Sequence, residues 1–185
     1  MRNAGNESDP ADFSGLNYIG GLDISFRSLT SNDAVASLAI LSFPQLELLD
    51  VISENVTLEV PYVPGYLSMR EAKPLVSLIK RYRSSEHAHR SPQVFFVDGN
   101  GRLHERQAGS ATMIGVLANV PCLGIAKEYH SPIPVQNLED KAPLHFRASQ
   151  KAFREVTTDK LVKRGDWLAL PDESGNENLG AVGSA

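Results

Sequence analysis

The first part of the chain alternates between apolar runs and short polar breaks. Three runs rich in Val, Ile and Leu cover Tyr18 to Phe26, Ala34 to Phe43 and Leu46 to Val60. The polar break Ser28 to Asp33 separates the first two runs, and Phe43-Pro44 separates the second from the third. Short apolar runs with turn residues between them are typical of β-hairpins. The pattern therefore predicts three antiparallel strands.

The pattern then changes to helices that alternate with short strands. Leu75, Leu78, Ile79 and Tyr82 recur at helical spacing, which predicts a helix over Ala72 to Arg83. Further along we predict a strand at Gln93–Asp98, a helix at Ala108–Ala118, a strand at Cys122–Lys127, loop over 128–144 and a strand at Trp167–Leu170. Strands that alternate with helices form parallel sheets. The expected fold class is thus α/β, with a mixed sheet of three antiparallel strands followed by parallel strands, flanked by helices.

Composition is that of one globular domain of 185 residues. Residues 1–14 are expected to be a disordered tail, 15–170 the folded domain, and 171–185 a flexible, Gly-rich tail. A single cysteine rules out an internal disulfide and favours a reducing compartment. Residues 1–17 lack the apolar core of a signal peptide, and no apolar run reaches membrane-spanning length. We therefore expect an intracellular protein with no membrane partner.

Charge is distributed unevenly along the chain. The net charge is −4, but residues 66–164 carry 16 Lys and Arg against 9 Asp and Glu, a local net of +7. The remaining residues carry 2 against 13, a net of −11. A basic middle segment can bind a polyanion locally even in an acidic chain. Charge alone favours a simpler explanation, in which solvated helix faces lie between acidic tails.

Two aspartates stand out because of their place in the predicted strands. Asp23 lies inside an apolar alternating run, and Asp98 ends an apolar strand just before Gly99-Asn100-Gly101. Each has a structural explanation. Asp23 can face solvent from a half-exposed strand, and Asp98 can belong to the tight turn that Asn100-Gly101 indicates. A calcium loop that starts at Asp98 is excluded, because it requires Gly and Glu where the chain has Leu103 and Gly109. The alternative is that the two carboxylates bind a hard cation.

Three further residues are candidates that have structural explanations of their own. Glu71 follows Ser68 at the spacing of a capping box, in which it would only cap the N-terminus of a helix. Tyr62 lies in a stiff turn between prolines and could simply pack over a surface loop. Lys127 ends an apolar strand, where a lysine can extend its ammonium into solvent. No Cys and His cluster has the spacing of a zinc site.

Four ordered motifs closely resemble the endonuclease V family. They are the runs Gly20–Phe26, Pro61–Glu71, Pro92–Arg106 and Pro121–Lys127, with a weaker match near Asn178-Leu179-Gly180. The resemblance implies an RNase H-like sheet in which Asp23 and Asp98 lie side by side. It also implies that 15–170 is a catalytic domain that is incomplete, because a later strand and helix with a fourth metal-site residue are expected to be missing.

The resemblance further implies roles for individual residues. Asp23, Glu71 and Asp98 would hold Mg²⁺, with Mn²⁺ as an alternative, and Lys127 would contact the reacting phosphate. The turn with Pro61, Tyr62, Pro64 and Gly65 would be a wedge inserted at the lesion, and His104, Arg106 and Gly109 would form a substrate loop. Glu105 departs from the family, whose members often have Pro there.

The function implied by the resemblance is Mg²⁺-dependent cleavage of inosine-containing nucleic acid. The substrate would be single-stranded RNA or DNA, cut one nucleotide 3′ of the lesion to leave 5′-phosphate ends. A monomer in the cytoplasm or nucleus, including the nucleolus, is expected. The alternative is a shortened, weakly active or inactive protein of the same fold that binds inosine or nucleic acid.

Overall fold

The computed structural model of the protein describes residues 13–28, 31–61, 63, 65–104, 106–126, 150–171 and 178–183. The side chains of 150–153, 156, 171, 178, 179 and 182 are outside this description. The expected N-terminal tail therefore lies almost wholly outside the described residues.

A five-stranded mixed sheet forms the centre of the fold. Its strands are β1 (Tyr18–Phe26), β2 (Asp33–Ser42), β3 (Leu48–Thr57), β4 (Val94–Asp98) and β5 (Cys122–Ile125). Their spatial order is β3-β2-β1-β4-β5. The first three strands pair antiparallel, while β1–β4 and β4–β5 pair parallel. The predicted mixed, RNase H-like arrangement is confirmed.

Two helices cover one face of this sheet. Helix α1 spans Leu67–Arg83 and α2 spans Ser110–Ala118, with a short 3-10 helix at Ala88–Arg90 between α1 and β4. Strand β2 shows why this face is the core, because every second residue from Ala34 to Ile40 is at most 1% exposed. The four apolar residues predicted at helical spacing are all buried in α1: Leu75, Leu78, Ile79 and Tyr82.

The start of α1 differs from the prediction. The helix begins at Leu67 instead of Ala72, its N-cap is Tyr66, and no side chain caps it by a hydrogen bond. The capping-box interpretation of Ser68 and Glu71 is therefore wrong, since both lie buried inside the helix. Pro74 is also inside the helix, where it removes one backbone hydrogen bond. Burial of the apolar side of α1 offsets that loss.

The last described elements are a third helix and a second, two-stranded sheet. Helix α3 spans Gln150–Lys160, and strands β6 (Trp167–Pro171) and β7 (Asn178–Gly183) pair antiparallel as a two-stranded sheet. Sequence analysis predicted β6 but neither α3 nor β7. Helix α3 lies within the expected domain, whereas the residues of β7 fall in the segment expected to be a flexible tail. The hairpin lies against the residues after β4, because a Cβ at Gly180 would collide with the Leu103 side chain.

A membrane-spanning helix is not found in the part of the chain that the structure describes, because no helix there is long and apolar enough to cross a bilayer.

Candidate active site

Asp23 and Asp98 are neighbours on two adjoining strands. The parallel register of β1 and β4 pairs Gly21 with Phe96 and Leu22 with Val97. Asp23 and Asp98 are the next residues of their strands, so their side chains leave the same side of the sheet. Ser25 Oγ donates a hydrogen bond to Asp23 Oδ2 at 3.2 Å. The expected juxtaposition of the two carboxylates follows directly from this register.

Glu71 approaches the same place from the first turns of α1. Its side chain is buried, with a relative exposure of 7%. Burial raises the pKa of Glu71 from 4.5 to about 7. The Arg70 charge lowers this pKa, while the charges of Asp23 and Asp98 raise it further. The electrostatic coupling shows that the three acids share one region of the molecule.

An open pocket of about 430 Å³ joins the three carboxylates. Its remaining lining comes from the β1–β2 connection, from α1 and from the turn after β4: Ile24, Phe26, Ser28, Ser31, Leu67, Arg70, Leu75 and Gly99. The volume lies in the range of ligand sites in proteins. The pocket therefore has room for more than a metal ion.

Arg70 is a residue of this pocket that sequence reasoning missed. Its Nη2 donates a hydrogen bond to Asn32 Oδ1 at 3.1 Å, and its Cζ lies 5.2 Å from the centroid of the Phe26 ring. Its Nε is buried and has no hydrogen-bond partner among the described residues. A guanidinium held this way places positive charge beside Glu71. The available signal was its position directly before a candidate acid.

The donor set fits a hard divalent cation in its chemistry. Three carboxylates supply oxygen ligands of the kind that Mg²⁺ and Mn²⁺ prefer. A cation between them would offset the repulsion that adds to the effect of burial on the Glu71 pKa. In the positions described, however, no group of three His, Cys, Asp or Glu side chains is close enough to hold one ion. Metal ligation by Asp23, Glu71 and Asp98 therefore stays a prediction.

The turn after β4 is fixed by backbone contacts on both sides. Gly99 N donates to Ile125 O at 2.9 Å, and Gly109 N donates to Gly101 O at 2.8 Å. A Cβ at Gly109 would collide with the backbone of Asn100. Gly109 thus lets the chain fold back onto the turn before α2 begins. Its packing role is shown by this geometry, and its predicted role in binding substrate stays a prediction.

Arg106 connects this loop to the turn that precedes α1. Its guanidinium carbon lies 3.7 Å from the centroid of the Tyr66 ring, and its Nη1 donates to Gly65 O at 2.9 Å. The backbone N–H of Arg106 donates to His104 Nδ1 at 3.2 Å. The structure therefore brings together the predicted residues Gly65, His104 and Arg106. Tyr66 was not predicted, although its aromatic character beside Gly65 was a usable signal.

The remaining predicted residues are described only in part. Pro61 is exposed and lies just after the sheet strand β3. Tyr62, Pro64 and Lys127 lie outside the described residues, so their predicted roles stay predictions.

Comparison with known proteins agrees with this geometry. The sequence model of the Endonuclease V family matches residues 2–176. Endonuclease V of Homo sapiens is 43% identical over 169 residues, which cover 91% of this chain and 55% of the human protein. Endonuclease V of Mus musculus is 44% identical over 136 residues, covering 74% and 39%. The chain thus spans about half the length, or less, of these two relatives.

Solved structures show the same similarity. The catalytic domain of human Endonuclease V superposes with a TM-score of 0.75 at 39% identity, covering 91% of this chain and 63% of that one. An Endonuclease V of Ciona intestinalis, in complex with a 23-mer DNA containing an inosine followed by a ribo-adenosine, has a TM-score of 0.72 at 28% identity, covering 92% and 66%. These chains carry the RNase H-like fold.

Proposed function

Because the chain belongs to the endonuclease V family, we propose that it hydrolyses phosphodiester bonds in inosine-containing nucleic acid. In its finer form, the proposal is a Mg²⁺-dependent cut one nucleotide 3′ of the inosine that leaves a 5′-phosphate, with Mn²⁺ as an alternative ion. The substrate is single-stranded RNA, single-stranded DNA or both. The Ciona relative, which binds inosine-containing DNA, supports the substrate class.

The main support for the proposal is that three carboxylates line the same pocket. Asp23 and Asp98 come from adjoining strands in parallel register, and Glu71 comes from a helix that packs on the same sheet. All three line the pocket. Carboxylates that repel one another are costly unless a cation or a proton compensates them. Their convergence is therefore better explained by function than by stability.

A divalent cation held by oxygens of Asp23, Glu71 and Asp98 would supply charge neutralisation at the phosphate and would make bound water more acidic. The protein's own contribution is to orient these oxygens. The backbone ladder of β1 and β4 fixes the two aspartates, and the buried side of α1 fixes Glu71. Arg70 adds a fixed positive charge at the pocket wall, where it can attract a phosphate. Lys127 is proposed to contact the reacting phosphate.

Lesion recognition is proposed to come from the segments beside the pocket. Tyr62, which the sequence places between Pro61 and Pro64, would replace the stacking that an extruded base loses. His104, Arg106 and Gly109 lie on the loop after β4, which contacts this turn through Gly65. Recognition and chemistry would thus occupy adjacent but separate parts of the molecule.

A cleavage assay tests the proposal. Single-stranded RNA and DNA oligonucleotides, each with one inosine and labelled at either end, are incubated with the protein in Mg²⁺, in Mn²⁺ and in EDTA. Matched strands with guanosine in place of inosine are the control. We expect metal-dependent cleavage one nucleotide 3′ of inosine and little cleavage of the control. Specific binding to inosine strands without cleavage in either metal would favour the alternative of an inactive binding protein.

A further inference from the structure

The contact between Arg106 and the residues just before α1 has a consequence for lesion recognition. We infer that Arg106 is a positioning residue, which fixes the turn that ends at Gly65 and Tyr66 and does not bind the nucleic acid backbone. The inference rests on the proposed function, since the turn is the proposed wedge. It differs from the expectation implied by the family resemblance, in which Arg106 belongs to a loop that binds the substrate.

Two independent contacts engage the guanidinium of Arg106. One of its faces lies over the Tyr66 ring at 3.7 Å, and Nη1 donates to Gly65 O at 2.9 Å. A guanidinium can stack on an aromatic ring and donate in its own plane at the same time, which a lysine ammonium cannot do. Both contacts go to consecutive residues of one segment. This is the geometry of a clamp between the loop after β4 and the turn.

The backbone around both partners is arranged to make this contact. Gly65 has φ of +77°, a left-handed conformation that favours glycine. In the loop after β4, the Arg106 N–H donates a hydrogen bond to His104 Nδ1. This bond fixes the backbone of the loop at Arg106. The clamp therefore joins two segments whose backbone conformations are each fixed by local interactions.

The position of the clamp explains why it matters for function. Tyr66 is the N-cap of α1, the helix that carries Glu71. Arg106 belongs to the loop that follows Asp98. Tyr62, the proposed wedge residue, precedes Tyr66 by four positions in the sequence. Loss of the clamp should free the turn while leaving the strands that hold Asp23 and Asp98 in place.

The test compares Arg106→Gln, Arg106→Lys, Tyr66→Leu and Tyr66→Phe with a charge-matched control, Arg83→Gln, at an exposed position in the last turn of α1. The first measurement is amide hydrogen exchange in the free protein. The Tyr66 N–H donates to Val63 O at 2.9 Å, so its exchange reports on the turn. We expect about fivefold faster exchange in Arg106→Gln and Tyr66→Leu. Arg106→Lys should also be faster, and Tyr66→Phe and Arg83→Gln should match the wild type.

The double variant Arg106→Gln/Tyr66→Leu decides whether the two residues act together. For a clamp, its exchange should be no faster than that of the more affected single variant. Independent, multiplicative effects would contradict the inference. This measurement needs no nucleic acid, so it remains decisive even if the proposed nuclease activity fails.

The second measurement is binding of inosine and guanosine strands, in EDTA, over a range of salt concentrations. We expect Arg106→Gln to lower the preference for inosine about fivefold while the slope of log affinity against log salt stays at the wild-type value. A slope shallower by about 0.7, with equal loss on both strands and unchanged exchange at Tyr66, would show that Arg106 neutralises a phosphate. That result would overturn the inference.

Discussion

The carboxylate pocket and the loop-to-turn contact lie side by side but are held by different means. Asp23 and Asp98 are fixed by strands whose backbones pair residue by residue, and Glu71 by a helix with eight buried residues. Among the described residues, one stacked guanidinium and one hydrogen bond, both from Arg106, hold the turn before α1 to the loop after β4. The proposed chemistry therefore has a rigid support, whereas the proposed recognition depends on a few replaceable contacts.

This difference has a physical meaning for function. Groups that act on a phosphate must be placed to within a fraction of an ångström, which packed strands and helices achieve. A wedge that enters beside a base must be stiff locally yet able to approach and leave its substrate. Changes in the pocket should thus abolish the reaction, while changes in the turn should reduce selectivity.

The largest effect is expected from Asp98→Asn. The substitution keeps the shape of the side chain but removes a charge from the centre of the pocket. We expect cleavage of inosine strands to fall by about 10²–10³-fold or more, measured as single-turnover rates.

Glu54→Gln is the matched control for this prediction. It removes one carboxylate from an exposed ion pair with Arg81 on the sheet edge, where such pairs contribute little. Similar rates for Asp98→Asn and Glu54→Gln would mean that the Asp98 carboxylate contributes no more to cleavage than an exposed carboxylate on the sheet edge.

The rigid support itself is tested by Leu78→Ala. Leu78 is fully buried between α1 and the sheet, so truncation leaves a cavity. We expect the free energy of unfolding to fall by about 2–5 kcal/mol, measured by urea denaturation. The matched substitution Val116→Ala, at a side chain that is 74% exposed on α2, should cost far less. Equal losses would contradict the assignment of the core.

The pH dependence of stability tests the burial of Glu71. Its pKa is raised from 4.5 to about 7 in the folded protein, so the folded state favours the protonated carboxyl. The resulting stabilisation is complete below about pH 4.5, decreases as the pH rises, and is lost above about pH 7. The shift corresponds to about 3 kcal/mol.

Denaturation in EDTA from pH 5 to pH 8.5 measures how the ionisation of Glu71 changes the free energy of unfolding. The wild type should lose stability relative to Glu71→Gln over that interval, because the variant cannot ionise at position 71. Parallel curves for the two proteins would show that Glu71 titrates as an ordinary exposed carboxyl.

The smallest effect is expected from Tyr62→Ala. Loss of one stacking contact should weaken binding to inosine strands by about 1–3 kcal/mol, measured by fluorescence anisotropy in EDTA. Binding of Mg²⁺ should be unchanged, because Tyr62 is not expected to touch the acids. Equal affinity of wild type and variant for the strand would exclude a stacking role.

The parts of the fold that follow from local pattern were predictable. Alternation in β2 and helical spacing in α1 are direct consequences of one buried face. The adjacency of Asp23 and Asp98 followed from the strand order implied by the family resemblance. The start of α1 was missed because Pro74 inside a helix argues for a later start, and burial of the helix outweighs that preference.

The contacts between loops could not be predicted in the same way. The stack of Arg106 on Tyr66 joins residues 40 positions apart, and no periodicity marks such a pair. Strand β7 contains two glycines among its six residues, which lowers its strand propensity. It forms because it pairs with β6 along its length. Both the Arg106–Tyr66 stack and strand β7 depend on contacts with residues elsewhere in the chain, which a local sequence pattern does not reveal.

Titration calorimetry shows whether Asp23, Glu71 and Asp98 together bind a divalent cation, as we propose. Mg²⁺ is titrated into the wild type, Asp98→Asn and Glu54→Gln at pH 8, where Glu71 is mostly ionised. We expect the wild type and Glu54→Gln to bind Mg²⁺ alike and Asp98→Asn to show no measurable binding. Unchanged Mg²⁺ affinity in Asp98→Asn would contradict the claim.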